Sequence, residues 1–256
     1  RCDRRKARAS ARAFLFARRK RTVVRYRPVA DIAPIRFCRH VQHMVDSSLS
    51  SVDARLREAV DAVYRRFATT APSKIEGCPC CIGTRNVDVL LTTPLRDITG
   101  EALWSYVSGV YYTIGSDRDF RYLLPRILEI SVSDPGNANN PEIVLNKLGL
   151  ARWRSWAPDE QLAVAELLDA WFERALVRDL SEADDGWVGR EAESVICGAA
   201  LAGVPLDRWL VRLTEPFAMP VLADLKNRFP GELSPFWEQT PGGQREMSTI
   251  LTQGRA

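Results

Sequence analysis

The chain has 256 residues, 46% of them apolar, which is enough to bury a proper core and excludes disorder as the default state. Its formal charge of +4 is the sum of two unlike parts: residues 1–43 hold 14 Lys and Arg against Asp3 and Asp31, or +12, and the remainder carries −8. An acidic body argues against a nucleic-acid-binding core, and no apolar run reaches the ~18 residues of a membrane span.

Residues 1–43 are rich in Arg, lack an initiator Met and show no sustained apolar period, while Met44 stands just ahead of the first amphipathic pattern. The expectation is that this basic segment is translated non-coding sequence or otherwise outside the fold, and that 44–256 form a single helical domain. Two other readings are a basic nucleic-acid arm, which would make nucleic acid a partner, and an Arg-rich transit peptide.

Ser50 with Asp53 suggests a capping box opening a helix whose apolar face is Val52, Leu56, Val60, Val63 and Phe67. The cysteine string Gly77-Cys78-Pro79-Cys80-Cys81 follows. Residues 87–91 form an apolar run too short for periodicity to assign. Residues 102–116 carry no charge and are apolar on every side of a helical wheel, so they read as the buried central helix, started by Thr99 and stopped by Gly115. Phe120, Leu123, Leu124, Ile127 and Leu128 then give a one-sided helix in which Pro125 removes the donor for the carbonyl of Arg121 and predicts a kink. Asp119, Arg126 and Glu129 fall near that carbonyl and are the candidate partner-binding residues.

After a loop at Asp134-Pro135-Gly136, Asn140-Pro141 opens a helix ending near Gly149, and Pro158 opens what reads as the longest one, striped by Val164, Leu167, Leu168, Trp171, Ala175 and Leu176. Beyond an acidic break at 182–186, residues 191–202 contain Gly198, Ala199, Ala200 and Ala202, small enough for close helix approach. Shorter helices through Trp209 and Leu213 and through Val221 and Leu225 follow, with a last one at 244–252 after the break Pro241-Gly242-Gly243. Short helices with tight Pro- or Gly-marked turns predict an all-α, multi-helical antiparallel bundle or an irregular HEAT-like stack. The seven tryptophans, spread along the chain, suit inter-helix packing.

The string Cys78-Pro79-Cys80-Cys81, with Pro94-Leu95-Arg96, Leu124-Pro125-Arg126-Ile127-Leu128-Glu129 and Phe236-Trp237, resembles a family of uncharacterised bacterial all-helical proteins over about 60–237. The resemblance implies a bacterial source and a fold class, and no activity.

Both histidines, His40 and His43, lie in the basic segment, so a chain starting at Met44 lacks a His base, a Ser-His-Asp arrangement and a His-ligated metal centre. Cysteine chemistry remains. Cys78-Pro79-Cys80-Cys81 has the spacing of a thiol redox site without its strand-then-helix context. It could also supply ligands to zinc, with Cys197 as the fourth, although adjacent Cys80 and Cys81 do not both reach one tetrahedral ion easily. Its third reading is a buried loop whose thiols fill core space. Six cysteines in a chain of this size do not form a disulfide framework, which favours a reducing cytoplasm. The preferred function is a non-enzymatic helical scaffold that binds another protein, with no cofactor; the alternative is a cysteine-centred redox or zinc-dependent activity.

Overall fold

The computed structural model describes residues 39–83, 85–134, 139–182 and 188–252, with side chains from Ser48 onward. Most of the basic segment, both histidine side chains and Trp187 lie outside the described residues, as does most of the acidic break. Eleven α-helices and no β-strand are found among the described residues, so the fold is all-α. In chain order they are α1 (Arg39–Arg66), α2 (Pro79–Ile82), α3 (Val89–Thr92), α4 (Gly100–Val107), α5 (Asp117–Ser133), α6 (Pro141–Leu150), α7 (Pro158–Ser181), α8 (Arg190–Leu201), α9 (Asp207–Leu213), α10 (Met219–Arg228) and α11 (Pro241–Thr252). None is long and apolar enough to cross a membrane.

The centre of the molecule is α7. Ala163, Val164, Leu167, Leu168, Trp171, Phe172, Ala175 and Leu176 are buried on several of its faces. Helix α1 lies along it in the opposite sense, because Arg66 near its end pairs with Asp159 (2.6 Å) and Asp53 nearer its start meets Arg174 (3.3 Å). At 28 residues α1 is the longer of the two, and it runs from Arg39 straight through Ser50 and Asp53. The Ser50–Asp53 pair therefore caps nothing, and the expected boundary at Met44 falls inside a helix. Helix α8 packs on α7 from another side, also antiparallel, with Asp179 reaching the first backbone N–H groups of α8.

Helices α6 and α8 run in the same sense and touch almost backbone to backbone. A Cβ on Gly198 would stand 2.8 Å from the carbonyl oxygen of Pro141 and 2.9 Å from Leu145 Cδ1, and one on Gly149 would stand 2.5 Å from the carbonyl oxygen of Leu201. The small-residue run in α8 thus does what its composition predicts. The start of α11 is a parallel case. Pro241-Gly242-Gly243 is its first turn, not a break, and a Cβ on Gly243 would stand 2.6 Å from Ala200 Cβ, so the glycine there serves close packing on α8.

The uncharged stretch 102–116 is a helix only as far as Val107. Gly109 and the left-handed residues Tyr111 (φ 64°) and Gly115 (φ 80°) then fold it into a run of turns, with isolated bridges joining Ile114 to Gly77 and to Val110. Leu103, Tyr106, Val107, Val110 and Ile114 are buried all the same. Apolarity on all sides marked burial correctly; it did not mark helix. The run 87–91, by contrast, ends in the helical turn α3. Helix α5 continues unbroken through Pro125, which is itself buried along with Phe120, Leu123, Leu124, Ile127 and Leu128.

The α6–α8 seam yields a test. Gly198→Ala is expected to destabilise by about 1–3 kcal/mol through overpacking, a fall of several degrees in melting temperature. Gly242→Ala, where no atom lies within 4 Å of the added carbon, is expected to leave melting unchanged or raise it slightly. Thermal melts followed by circular dichroism compare the two.

Candidate functional site

The two strings Pro94-Leu95-Arg96 and Leu124-Pro125-Arg126-Ile127-Leu128-Glu129 meet at one carboxylate. Arg126 and Glu129 are one turn apart on α5, and Arg96 is carried by a 3₁₀ turn at Leu95–Asp97. Glu129 Oε2 accepts from Tyr64 Oη and from Arg126 Nη1, each at 2.6 Å, and Oε1 accepts from Arg96 Nη1 at 3.4 Å. Arg96 also donates to Asp61 Oδ1 at 2.6 Å and lies 3.8 Å from the centroid of the Tyr64 ring. Burial first, and the carboxylate of Glu129 second, push the Tyr64 phenol far above its usual range, so it serves as a neutral donor.

Of these groups Asp61, Arg96 and Glu129 line an open cleft of about 440 Å³ between α1 and α5. Leu56, Val60 and Val132 make its apolar floor, while Asp53, Arg57, Asp61, Arg96, Glu129 and Arg174 stand around it. Arg126 does not line the cleft. Its Nε donates to the carbonyl of Ile98 at 2.8 Å and its side chain is only 16% exposed, which makes it an anchor between α5 and the segment leading into α4.

Asp119 does not join Arg126 and Glu129. It is 2% exposed and turned inward, accepting from the backbone N–H of Ser116 at 2.9 Å and from Tyr106 Oη at 2.6 Å. This is the capping box of α5, two turns or about 10 Å along the axis from Arg126. The expected trio is therefore a pair with different neighbours.

Cys78 caps α2, a single turn closed by the amide of Cys81 on the carbonyl of Cys78 (2.8 Å). The loop is held against the turns after α4: Cys78 N donates to Thr113 O at 2.9 Å and Gly115 N to Glu76 O at 2.7 Å. Gly77 is required there, since a Cβ would lie 2.6 Å from Ile114 Cγ2. The sulfurs of Cys78 and Cys80 are 2.9 Å apart, those of Cys80 and Cys81 3.7 Å, and all three lie within 4.8 Å of one another. The adjacent pair, expected to reach one ion only with difficulty, has its sulfurs on the same side of the loop. Cys80 is exposed and the other two are half-buried, with Cys81 packed against the core, so the loop fills core space only in part.

Cys197 is elsewhere. It is fully buried in α8, where burial and then Glu142 and Glu193 push its thiol far up and keep it protonated. It cannot be a fourth ligand for the loop. Around it Glu193 accepts from Arg228, from Ser234 N and from Trp237 Nε1 (3.2 Å), and Ser234 Oγ donates to Glu142 at 3.0 Å. Burial raises the Glu142 carboxyl above its usual range.

Lys147 gave no signal in the sequence beyond its place in an apolar helix. Its ammonium is 2% exposed, donates to the carbonyl of Val110 at 3.2 Å and lies 3.9 Å from the centroid of the Tyr112 ring. Burial, then the neighbouring charge of Arg85, bring it down to about 7. Asp179, holding the α8 N-terminus, is pushed up to about 7 by burial even though two backbone N–H groups favour its ionised form.

Compared with protein-family models, with curated proteins and with solved structures, the chain matches none. The site is read from its geometry.

Two outcomes follow. Arg126→Ala, which strands the Ile98 carbonyl and removes a donor from Glu129, is expected to cost about 1–3 kcal/mol in urea unfolding, so Arg126 behaves as a structural anchor. For Lys147 the folded pKa lies below the unfolded one, so the unfolded chain binds the extra proton from pH 7 up to about 10.4 and the lysine's cost shrinks as pH rises through that window. Lys147→Met should accordingly gain most over the parent protein near pH 6, with the difference narrowing by pH 10. A difference that stays flat with pH would show that Lys147 does not titrate in that range.

Proposed function

We propose that this protein is a non-enzymatic helical scaffold that binds another protein, and that the cleft between α1 and α5 is its binding surface. The cleft itself supports this reading: an apolar floor of Leu56, Val60 and Val132 ringed by Asp53, Arg57, Asp61, Arg96, Glu129 and Arg174. Protein-binding surfaces are built this way, with a desolvated apolar centre and a polar rim that fixes register and rejects wrong partners. A groove between two helices suits the apolar face of an amphipathic helix, whose i, i+3 and i+4 side chains would fill the floor. Rim charges that already pair, such as Arg96 with Asp61, present both signs to the incoming segment. A cytoplasmic location in a bacterium, and kinship with the helical proteins that carry the same cysteine and Leu-Pro-Arg-Ile-Leu-Glu strings, belong to the same proposal. A cysteine-centred role is favoured by a separate observation, the sulfur distances in the loop.

Site-specific photo-crosslinking in the source cell tests the cleft. A photo-reactive residue at Ser133, on the exposed edge of the cleft, is expected to give a discrete adduct that is weakened by Arg57→Glu and absent when the probe is moved to Leu162, which is exposed on α7. Equal products from both positions, or none from Ser133, would overturn the assignment.

A further inference from the structure

We propose that Cys78, Cys80 and Cys81 form a three-thiolate site for one thiophilic cation, of the class of Zn(II) and Cu(I), with a fourth coordination position that no other described residue fills. The inference rests on the loop alone and stands whether or not the cleft binds a protein.

With metal–sulfur bonds of about 2.3 Å and tetrahedral angles, sulfurs around one ion are about 3.8 Å apart. The loop offers 2.9 Å and 3.7 Å for two of its pairs and no separation above 4.8 Å. The three sulfurs thus already lie within about 1 Å of the separations that one shared ion requires. Three sulfur donors without imidazole or carboxylate among them select soft cations over Mg²⁺ or Ca²⁺.

The backbone that carries the sulfurs is fixed independently of any ion. Pro79 restrains the turn, the amides of Cys81 and Ile82 both close on the carbonyl of Cys78, and the ladder of Glu76 and Cys78 against Gly115 and Thr113 ties the strand-like approach to the core. A ligand set that is ordered beforehand loses little entropy on binding. Exposure of Cys80 and half-burial of Cys78 and Cys81 give an ion a route in.

The described residues bring three ligands and no fourth: Cys197, the remaining cysteine among them, is enclosed in α8 with Glu142 and Glu193, and the metal-competent group among the described residues contains Cys78, Cys80 and Cys81. Structural zinc sites close with four protein ligands, whereas three protein ligands leave room for water, substrate or a partner's side chain. For Zn(II) the balance is Zn²⁺ plus three thiols giving a tris-thiolate with one negative charge and three protons released, and for Cu(I) the product carries two negative charges.

The test uses the full chain, reduced with a phosphine and handled without oxygen. Zn(II) is titrated against a chromophoric zinc chelator and Cu(I) against a bathocuproine-type chelator, with Co(II) as an optical stand-in for zinc. One equivalent of ion per chain is expected, with thiolate-to-cobalt charge-transfer absorption and proton release in weakly buffered solution. Cys80→Ser should abolish stoichiometric uptake at unchanged circular dichroism, while Cys197→Ser should retain it. Which chelator strips the ion distinguishes the zinc form from the copper form of the same site. Failure of both ions to bind stoichiometrically, uptake that survives Cys80→Ser, or uptake lost in a folded Cys197→Ser variant would each overturn the proposal.

Discussion

Everything in this fold is arranged around the need to cover α7. A helix of 24 residues that buries Trp171, Phe172 and a continuous run of Leu, Val and Ala cannot be satisfied by one neighbour. Each large side chain taken fully out of water contributes about 1.5–3 kcal/mol, and α1 and α8 supply most of the cover from different sides, with α10 adding to it. The charges α7 must carry are met at its edges. Arg174 reaches Asp53 on α1 and Glu191 on α8, Asp169 accepts from Trp209 on α9, and Glu173 accepts from Arg212 of the same helix. The ion pairs thus mark where each covering helix is seated.

A second constraint is that several helix ends are buried and need donors satisfied from elsewhere. Asp119 holds the start of α5, and Asp179 reaches from α7 to the first N–H groups of α8. Glu193 gathers the loop before the 3₁₀ turn Pro235–Gln239 by accepting from Ser234 N and Trp237. Removing water from the Asp179 and Glu142 carboxylates is unfavourable and pushes their pKa values up, and their hydrogen bonds offset part of it.

The all-α class, the helices after Asn140 and the close approach around Gly198 were legible in the sequence, because proline starts, glycine stops and 3.6-residue periods are local signals. What was misread depended on distant partners. Ser50 and Asp53 have the same spacing as Ser116 and Asp119, yet the first pair lies within a helix and the second caps one. The spacing is identical, and only a preceding Gly115 in the left-handed region, which ends the incoming turn, distinguishes them. Residues 102–116 looked central because they are uncharged, but their burial is shared between a short helix and a run of turns. At the candidate cleft, Arg96 and Glu129 were each visible as members of a string. Their meeting with Tyr64 depends on α1 lying antiparallel to both α5 and α7, which no local pattern encodes. Lys147 was hidden for the same reason: what brings its pKa down is the density of neighbours and Arg85, 62 positions earlier in the chain.

The pairing of α1 with α7 has a consequence for how the chain is made. Arg174 and Asp53 stand 121 positions apart, so α1 leaves the ribosome long before the helix that covers it exists. At roughly 5–20 residues per second its apolar face of Leu56, Val60, Val63 and Phe67 stays without α7 for on the order of ten seconds. Helix α5, which is translated earlier and shares that face through Leu56, Val60 and Val132, is the first element able to shield it. The surface that later forms the cleft is, in the growing chain, a temporary shelter for α1.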